Sequence, residues 1–354
     1  MRWDSLLLDS TDAGDGVGGT TLPLIERNAV ARTFDTPEFR GMTFYEIHAK
    51  SIVSRVPESS KVPFRYTINP YRGCQHQCKY CFARQSHTYL DMDAGRDFDT
   101  RVVVKVNAPE LLRAKLASPG WAGEHIAMGT NVDCYQRAEG RYQLMRGIIA
   151  ALRDAANPFS ILTKGTLILR DLDLLRLAAE VTEVGLNVSA AFVDKSLWRA
   201  IEPGTPAPER RLEACAALND AGLQCGVLMG PIVPYLSDSP AQLAAVVRQA
   251  AMAGAVHVTP IVLHLRPGAR EWFLGWLREA HPELVPRYAE LYGGGAYARK
   301  DYQARITGQV RDLAEHFGVG RGADRPDGGV RRVPGSATAP PRPPVARHEQ
   351  LSLL

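Results

Sequence analysis

Short apolar runs rich in β-branched residues alternate with helix-like segments through the middle of this chain. Six of these runs fit strands, at residues 64–69, 126–133, 159–163, 186–193, 224–233 and 256–265. Helical periodicity follows most of them, and two of the helices begin at a proline and end at a glycine, at 208–222 and 240–254. Strands that alternate with helices of about a dozen residues are typical of parallel βαβ units. The pattern predicts an α/β fold, either an incomplete barrel or an open parallel sheet.

The segments on either side of this region differ from it. Residues 1–60 contain few periodic stretches and predict an N-terminal extension of a core domain at 61–267. A further strand candidate at 102–106 precedes a helix at 109–118. Residues 268–320 predict a C-terminal helical region whose aromatic stripe, Trp272, Phe273 and Trp276, belongs to the core. Residues 321–354 are rich in proline and arginine and predict a disordered tail.

Composition excludes several classes of protein. Apolar residues make up 45% of the 354 positions and charged residues 23%, as in an ordinary globular protein. No run of 18 apolar residues exists, so we expect no membrane partner, and with no export signal we expect a cytoplasmic protein. The net charge of +4 arises mostly in the tail, which holds six arginines and three acidic residues. The nearly neutral body gives no case for a protein that coats nucleic acid.

Three of the six cysteines lie close together in the stretch NPYRGCQHQCKYCFAR, which follows the first strand candidate. Cys74, Cys78 and Cys81 have the spacing C-x3-C-x2-C, whereas Cys134, Cys215 and Cys225 are scattered. In a reducing compartment such a cluster favours metal binding over disulfides. Three thiolates on one loop can hold three corners of a [4Fe–4S] cluster and leave one iron open to a small molecule.

Two alternatives stand beside this interpretation. A structural zinc ion prefers four ligands, and His76 is the only residue on the loop that offers a fourth. Three buried core cysteines are the other alternative. Arg72, Lys79 and Arg84 favour the cluster, because their positive charges would offset the negative thiolate–sulfide cage.

The cysteine triplet, with Tyr80 directly before Cys81, resembles the radical S-adenosylmethionine (SAM) superfamily. Further stretches are similar to spore photoproduct lyase and its "DNA repair photolyase" relatives: VDCYQRAE at 132–139, ILTKGTLILRDLDLL at 161–175, EP at 202–203 and GPIVPYLSD at 230–238. The resemblance covers about residues 40–318.

The resemblance implies a partial (β/α)6 barrel of the TIM-like radical SAM type, with a [4Fe–4S] cluster on Cys74, Cys78 and Cys81. It further implies SAM at the open iron, an electron donor such as flavodoxin or ferredoxin, and a 5′-deoxyadenosyl radical that abstracts hydrogen from a substrate. Tyr80, Lys164 and Ser189 match positions that hold SAM in the family. Without that role, Lys164 would be a solvated loop cation and Ser189 a satisfied strand hydroxyl.

The residues after the second strand depart from the family pattern. Val132 stands where relatives carry a small hydroxyl residue, and it cannot donate a hydrogen bond to SAM. Cys134 stands where they carry a proline, and it is either a thiol hydrogen-atom donor or a small buried residue. Asp133, Gln136 and Glu139 are expected at the substrate mouth, unless they belong to a solvated loop.

The final residues, Gln350, Leu351, Ser352, Leu353 and Leu354, resemble the pentapeptide by which bacterial repair proteins dock on the replication sliding clamp. The alternative is a leucine-bearing tail that packs on its own domain.

Three functions follow from these features. The first is a radical SAM enzyme acting on damaged or modified nucleic acid, with DNA and the clamp as partners. The second is a radical SAM enzyme acting on a peptide or a small metabolite. The third is a noncatalytic Fe–S sensor. Lys164 and Ser189 favour catalysis, and the tail favours nucleic acid.

Overall fold

The computed structural model of the chain describes residues 29–60 and 62–319. The predicted tail at 321–354, with its terminal pentapeptide, lies outside the described residues. Within the described ranges, no helix is long and apolar enough to cross a membrane.

A seven-stranded sheet forms the centre of the molecule. Six of its strands are parallel and lie side by side in chain order, with one antiparallel strand at the edge. The edge strand is β3 (Val53–Arg55), and the parallel strands are β4 (Tyr66–Ile68), β7 (Ile126–Met128), β8 (Phe159–Thr163), β9 (Val184–Ser189), β10 (Cys225–Ile232) and β11 (Val258–Val262). All six predicted strands are therefore confirmed, and so is the predicted α/β architecture of parallel βα units.

A second sheet has four strands, and the sequence pattern predicted only one of them. Its members are β1 (Val30–Arg32), β2 (Thr43–Ile47), β5 (Tyr71–Arg72) and β6 (Arg101–Lys105). The predicted strand at 102–106 is real, but it pairs with β2 and β5 rather than with the large sheet. Because β2 belongs to residues 1–60, part of the expected extension is built into regular structure beside the core. Strands of two or three residues, such as β5 and β1, carry too few apolar positions to produce a clear period of two.

Helices connect the parallel strands and cover the large sheet. They are α1 (Arg96–Thr100), α2 (Ala108–Ala117), α3 (Arg137–Tyr142), α4 (Leu144–Asp154), α5 (Leu172–Ala179), α6 (Lys195–Ile201), α7 (Pro208–Asp220) and α8 (Pro240–Met252), with α9 (Ala269–Ala280), α10 (Val285–Tyr292) and α11 (Lys300–His316) after the last strand. The prolines and glycines in the sequence marked the ends of α7 and α8 to within two residues.

Two helices, α3 and α4, lie between β7 and β8 and are separated by a single residue. Gln143 lies between α3 and α4 in the left-handed region, with φ of 51°. The Glu139 carboxylate accepts hydrogen bonds from the backbone amides of Leu144 (3.1 Å) and Met145 (3.0 Å), at the start of α4. A side chain of α3 therefore satisfies amides that α4 leaves unpaired, which stabilises the break.

The apolar core has two main parts. One lies between β4, β7, β8 and β9 and the helices α2, α4, α5 and α7. The other joins β10 and β11 to the helices that follow them, and it buries Phe273, Leu277, Tyr288, Ile306 and Val310. Phe273 of the aromatic stripe is fully buried, as predicted. Trp272 instead lies over the Arg84 guanidinium, 4.6 Å from the ring centre, beside the cysteine loop.

Candidate functional site

The three cysteines lie on a loop at the carboxyl end of β4. Between that strand and the loop comes the short strand β5, and Gly73 then turns the chain with φ of 84°. A Cβ atom at Gly73 would lie 2.6 Å from the Arg101 carbonyl oxygen, so only glycine fits there. The amide of Cys74 donates to the Phe98 oxygen over 3.0 Å, which fixes the first cysteine directly after the turn.

Two glutamines fasten this loop to the segment that follows β7. The Gln136 side-chain amide donates to the Gly73 oxygen (3.0 Å) and its oxygen accepts from the Gln75 backbone amide (3.1 Å). In return, the Gln75 side-chain oxygen accepts from the Ala138 amide over 2.6 Å. Both glutamines are buried, so these hydrogen bonds are shielded from water. Gln136, expected at the substrate mouth, therefore holds the cysteine loop.

The far side of the loop is attached to the chain around α6. The Lys79 amide donates to the Ile201 oxygen (2.9 Å), and the Gly204 amide donates to the His76 oxygen (3.1 Å). A Cβ atom at Gly204 would lie 2.0 Å from the Gln75 oxygen, so the two backbones approach as closely as glycine allows. The loop is thus held at both sides.

Asp133 lies under the loop at the ends of β7 and β8. Its carboxylate accepts from the Tyr135 amide (2.8 Å), the Thr163 hydroxyl (2.6 Å) and the Lys164 amide (2.6 Å). His76 Nδ1 lies 3.4 Å from the same carboxylate. Burial lowers the pKa of His76 to about 4 although Asp133 opposes this shift, so the imidazole is neutral at neutral pH. Asp133 thus organises the strand ends.

The thiols are close enough to influence one another. Burial raises the pKa of Cys74 well above its usual value, and Asp133, Cys81 and Cys78 add to the shift. Burial raises the pKa of Cys78 to about 12, with a contribution from Glu202, while Lys164 and Arg211 oppose the rise. Burial also raises the pKa of Cys81, and Arg84 and Lys164 lower it. As free thiols the three are protonated, and the surrounding cations favour negative charge on them.

Arg84 supports the end of the loop from within the core. Its guanidinium pairs with Asp99 at 2.8 Å and also donates to the Cys78, Ala94 and Gly95 carbonyl oxygens. It is fully buried, so its positive charge is fixed close to the second and third cysteines. The sequence had predicted this role for Arg84 from its proximity to the triplet.

A buried ionic group lies beside Tyr80. The Tyr80 hydroxyl donates to Glu202, and the Arg211 guanidinium donates to the same carboxylate and to the Thr205 hydroxyl. Burial alone would raise the pKa of Glu202, but Arg211 and Lys164 outweigh it, so the pKa lies below its usual value and the group is ionised. Lys164 Nζ lies 5.8 Å from the centre of the Tyr80 ring. Tyr80 and Lys164, which match two positions that hold SAM in the family, thus lie close together.

Ser189 lies at the end of β9, next to this group. Its hydroxyl donates to the Gly230 oxygen over 2.9 Å, and its carbonyl oxygen accepts from Arg211 over 3.2 Å.

Sequence reasoning did not assign a role to Glu202 or Arg211. The EP stretch at 202–203 was a signal for Glu202, but nothing local marked Arg211, because its partner is nine residues away across a turn.

Two other residues that the sequence predicted for the site, Cys134 and Glu139, are buried in the core. Cys134 is fully buried in the core between the sheets, where burial raises the pKa of its thiol well above the usual value. Glu139 is also fully buried, and Tyr71 and Arg170 donate to its carboxylate. Glu139 therefore supports the strand before the cysteine loop and the start of α4.

A cavity of about 740 Å³ opens beside the loop. Its lining includes His76, Tyr135, Arg137, Arg141 and Thr205. The three cysteines, Lys164 and Ser189 do not line it. The cavity is therefore next to the thiol loop rather than between its cysteines.

Comparison with known proteins identifies the family of this chain. The family model "Radical SAM superfamily" matches residues 68–247, slightly more than half of the chain. An uncharacterised protein of Mycobacterium tuberculosis is 47% identical over 319 residues, which cover 90% of this chain and 93% of the relative. An uncharacterised protein of Methanocaldococcus jannaschii is 34% identical over 180 residues, or 51% of this chain and 65% of the relative.

Solved structures of spore photoproduct lyase have a similar fold. The lyase complexed with dinucleoside spore photoproduct aligns with a TM-score of 0.58 at 16% identity, over 78% of this chain and 80% of the lyase. A variant with bound SAM and the same ligand aligns with a TM-score of 0.57 over 74% of this chain and 77% of the lyase. Together with the cysteine loop at the end of the first parallel strand, the family match shows that this chain belongs to the radical SAM superfamily.

Proposed function

We propose that this protein binds a [4Fe–4S] cluster through Cys74, Cys78 and Cys81, cleaves SAM reductively, and uses the resulting radical on nucleic acid. The observation that carries the proposal is the cysteine loop itself. Three thiols that interact with one another lie on a loop fixed by hydrogen bonds at both sides, at the carboxyl ends of parallel strands. Barrel-type folds place their chemistry at this edge.

The residues present fit such a cluster. Its thiolate ligands and sulfides carry negative charge, and Arg84, Lys164 and Arg211 all favour negative charge on the cysteines. The described residues contain no group of three or more His, Cys, Asp or Glu side chains gathered closely enough for a single metal ion.

When bound, a reduced [4Fe–4S] cluster with SAM supplies a strongly oxidising carbon radical. The chain supplies the surroundings. Lys164 offers a positively charged donor next to Tyr80, and the Ser189 hydroxyl can still accept a hydrogen bond because its proton goes to Gly230. Glu202 holds Tyr80 and is in turn held by Arg211, so that the wall of the site is fixed before any ligand arrives.

Nucleic acid is the substrate class that the available signals favour. The solved structures with a similar fold include a lyase complexed with a dinucleoside photoproduct. The sequence also carries the pentapeptide at 350–354 that resembles a sliding-clamp motif. Neither signal concerns peptides or small metabolites.

The reaction can be tested with the anaerobically reconstituted full-length chain. We expect dithionite-reduced protein to convert SAM to 5′-deoxyadenosine, and to do so faster with ultraviolet-irradiated DNA than with unirradiated DNA. Product formation would be measured by liquid chromatography. Cleavage that irradiated DNA leaves unchanged, but that a peptide or metabolite accelerates, would move the substrate to another class.

Replacing Cys78 with alanine should abolish the cluster, because the two remaining thiolates hold only two corners of the cage. Anaerobically purified wild-type protein should contain about four irons and four sulfides per chain. Cys215→Ala is the matched control, since Cys215 is also buried but contacts the Cys225 oxygen on the far side of the core. Iron and sulfide analysis would decide, and equal iron in the two variants would contradict the assignment of the ligands.

Replacing Lys164 with alanine should weaken SAM binding while the cluster remains. Loss of a charged hydrogen bond costs about 1.5–3 kcal/mol, or roughly a 10- to 150-fold rise in Kd. Lys300→Ala removes an exposed lysine at the start of α11 and serves as the control. Equilibrium dialysis with labelled SAM would measure both, and an unchanged Kd for Lys164→Ala with normal iron content would remove Lys164 from the site.

The pentapeptide at 350–354 remains a proposal drawn from sequence alone. We expect a peptide covering 341–354 to bind the bacterial sliding clamp, because its leucines suit an apolar pocket on a partner. Fluorescence anisotropy of the labelled peptide would measure binding, with a peptide in which Gln350 and Leu353 are alanine as the control. Equal affinity of the two peptides, or no binding at high micromolar clamp, would remove the clamp from the list of partners.

A further inference from the structure

Four side chains lie near one another beside the cysteine loop, at the carboxyl end of the last parallel strand. We call them the aromatic rim: Phe82, His264, Arg266 and Tyr297. Phe82 directly follows Cys81, and His264 follows the end of β11 at Val262. The rim therefore adjoins the third cysteine on the side of the sheet where the strands end.

Each exposed ring of the rim contacts one of its two polar side chains. The Tyr297 and His264 ring centres lie 4.5 Å apart at an angle of 64°. The Arg266 guanidinium lies 5.8 Å from the centre of the Phe82 ring. Burial lowers the pKa of His264 below its usual value, and the positive charge of Arg266 lowers it further.

The backbone holds the four side chains of the rim in place. Leu263 and Leu265 are buried and His264 and Arg266 are not, so the two polar residues share one face of an extended segment. The Leu265 amide donates to the Ala296 oxygen over 2.8 Å, which holds Tyr297 beside His264. A Cβ at Gly268 would lie 3.0 Å from Gln85, so the same segment also packs against the short helix that begins at Phe82.

Within residues 29–60 and 62–319, both aromatic rings of the rim are open to solvent. Phe82 is 46% exposed and Tyr297 is 50% exposed, although most aromatic rings of the described residues are buried or half-buried. Exposed aromatic rings with a guanidinium between them match the chemistry of an unpaired nucleic-acid strand. Bases stack on ring faces and the phosphate between them pairs with arginine.

We propose that the aromatic rim binds unpaired nucleotides, with bases stacked on Phe82 and Tyr297 and a phosphate on Arg266. The proposal rests on the nucleic-acid substrate class proposed above, and it adds that the protein takes the strand in unpaired form. A base on Phe82 would lie next to Cys81. A protein such as an electron carrier is the other kind of partner, but two separate exposed rings with a guanidinium beside them suit bases and a phosphate, and the test below separates the two partners.

The test is binding of a fluorescein-labelled oligothymidine to the anaerobically reconstituted full-length chain, followed by anisotropy. Phe82→Ala and Tyr297→Ala should each raise the Kd roughly 5- to 100-fold, because each removes one stacking surface. Arg266→Gln should also reduce the slope of log K against log salt by about 0.7, the value for one phosphate of a single strand. A duplex of the same sequence should bind more weakly than the single strand.

Tyr89→Ala is the matched control. Tyr89 is 62% exposed and belongs to the same short helix as Phe82, but no cation contact or ring contact is made by it among the described residues. Its removal should leave the Kd unchanged. Iron content would be measured for every variant, and Tyr297→Ala keeps the test independent of the residue next to Cys81.

Three outcomes would overturn the proposal. They are no binding by the wild-type chain at high micromolar concentration, equal Kd for the wild type and both aromatic variants, or a loss confined to reduction by flavodoxin with unchanged Kd for the strand. SAM cleavage with dithionite, measured separately, distinguishes the two proposals. Cleavage without strand binding at the rim refutes the rim alone, and strand binding without cleavage refutes the proposed reaction.

Discussion

The exchange of hydrogen bonds between Gln75 and Gln136 is the contact on which the rest of the site depends. It joins the cysteine loop to the segment after β7 through three hydrogen bonds of 3.1 Å or less, all of them buried. A nine-residue loop has no regular structure to fix its cysteines, so backbone groups of neighbouring segments must do so. The Gly73 turn and the close approach at Gly204 complete this attachment. The sheet thus determines where the thiols lie.

Charge balance is the second constraint, and it extends across four strands. Glu202 carries a negative charge in a buried region, and Cys78 would gain one as a cluster ligand. A buried negative charge is costly unless cations lie close by. Lys164 after β8 and Arg211 of α7 meet this need, and Arg84 does so beside Cys81. The same cations that stabilise Glu202 also favour thiolates, so the wall of the site and the ligand loop share one electrostatic environment. This connects residues that are more than a hundred positions apart.

The sequence was most informative where a signal is local. Six strands, the proline and glycine boundaries of α7 and α8, and the C-x3-C-x2-C loop could all be predicted because each depends on neighbouring residues. The small sheet was largely missed, because β1 and β5 have only two or three residues and are stabilised by their partners. Gln136 and Glu139 were expected at a substrate mouth, since polarity alone does not reveal a side chain buried by distant hydrogen bonds. Arg211 could not be found at all without its partner Glu202.

The central claim is that the cysteine loop holds a cluster with one iron open to SAM. Electron paramagnetic resonance of the reconstituted, dithionite-reduced chain, recorded with and without SAM, tests it most directly. We expect the signal of one reduced [4Fe–4S] cluster per chain, and a clear change in that signal when SAM is added. A cluster signal that saturating SAM leaves unchanged, or no iron–sulfur signal in protein with intact cysteines, would contradict the account.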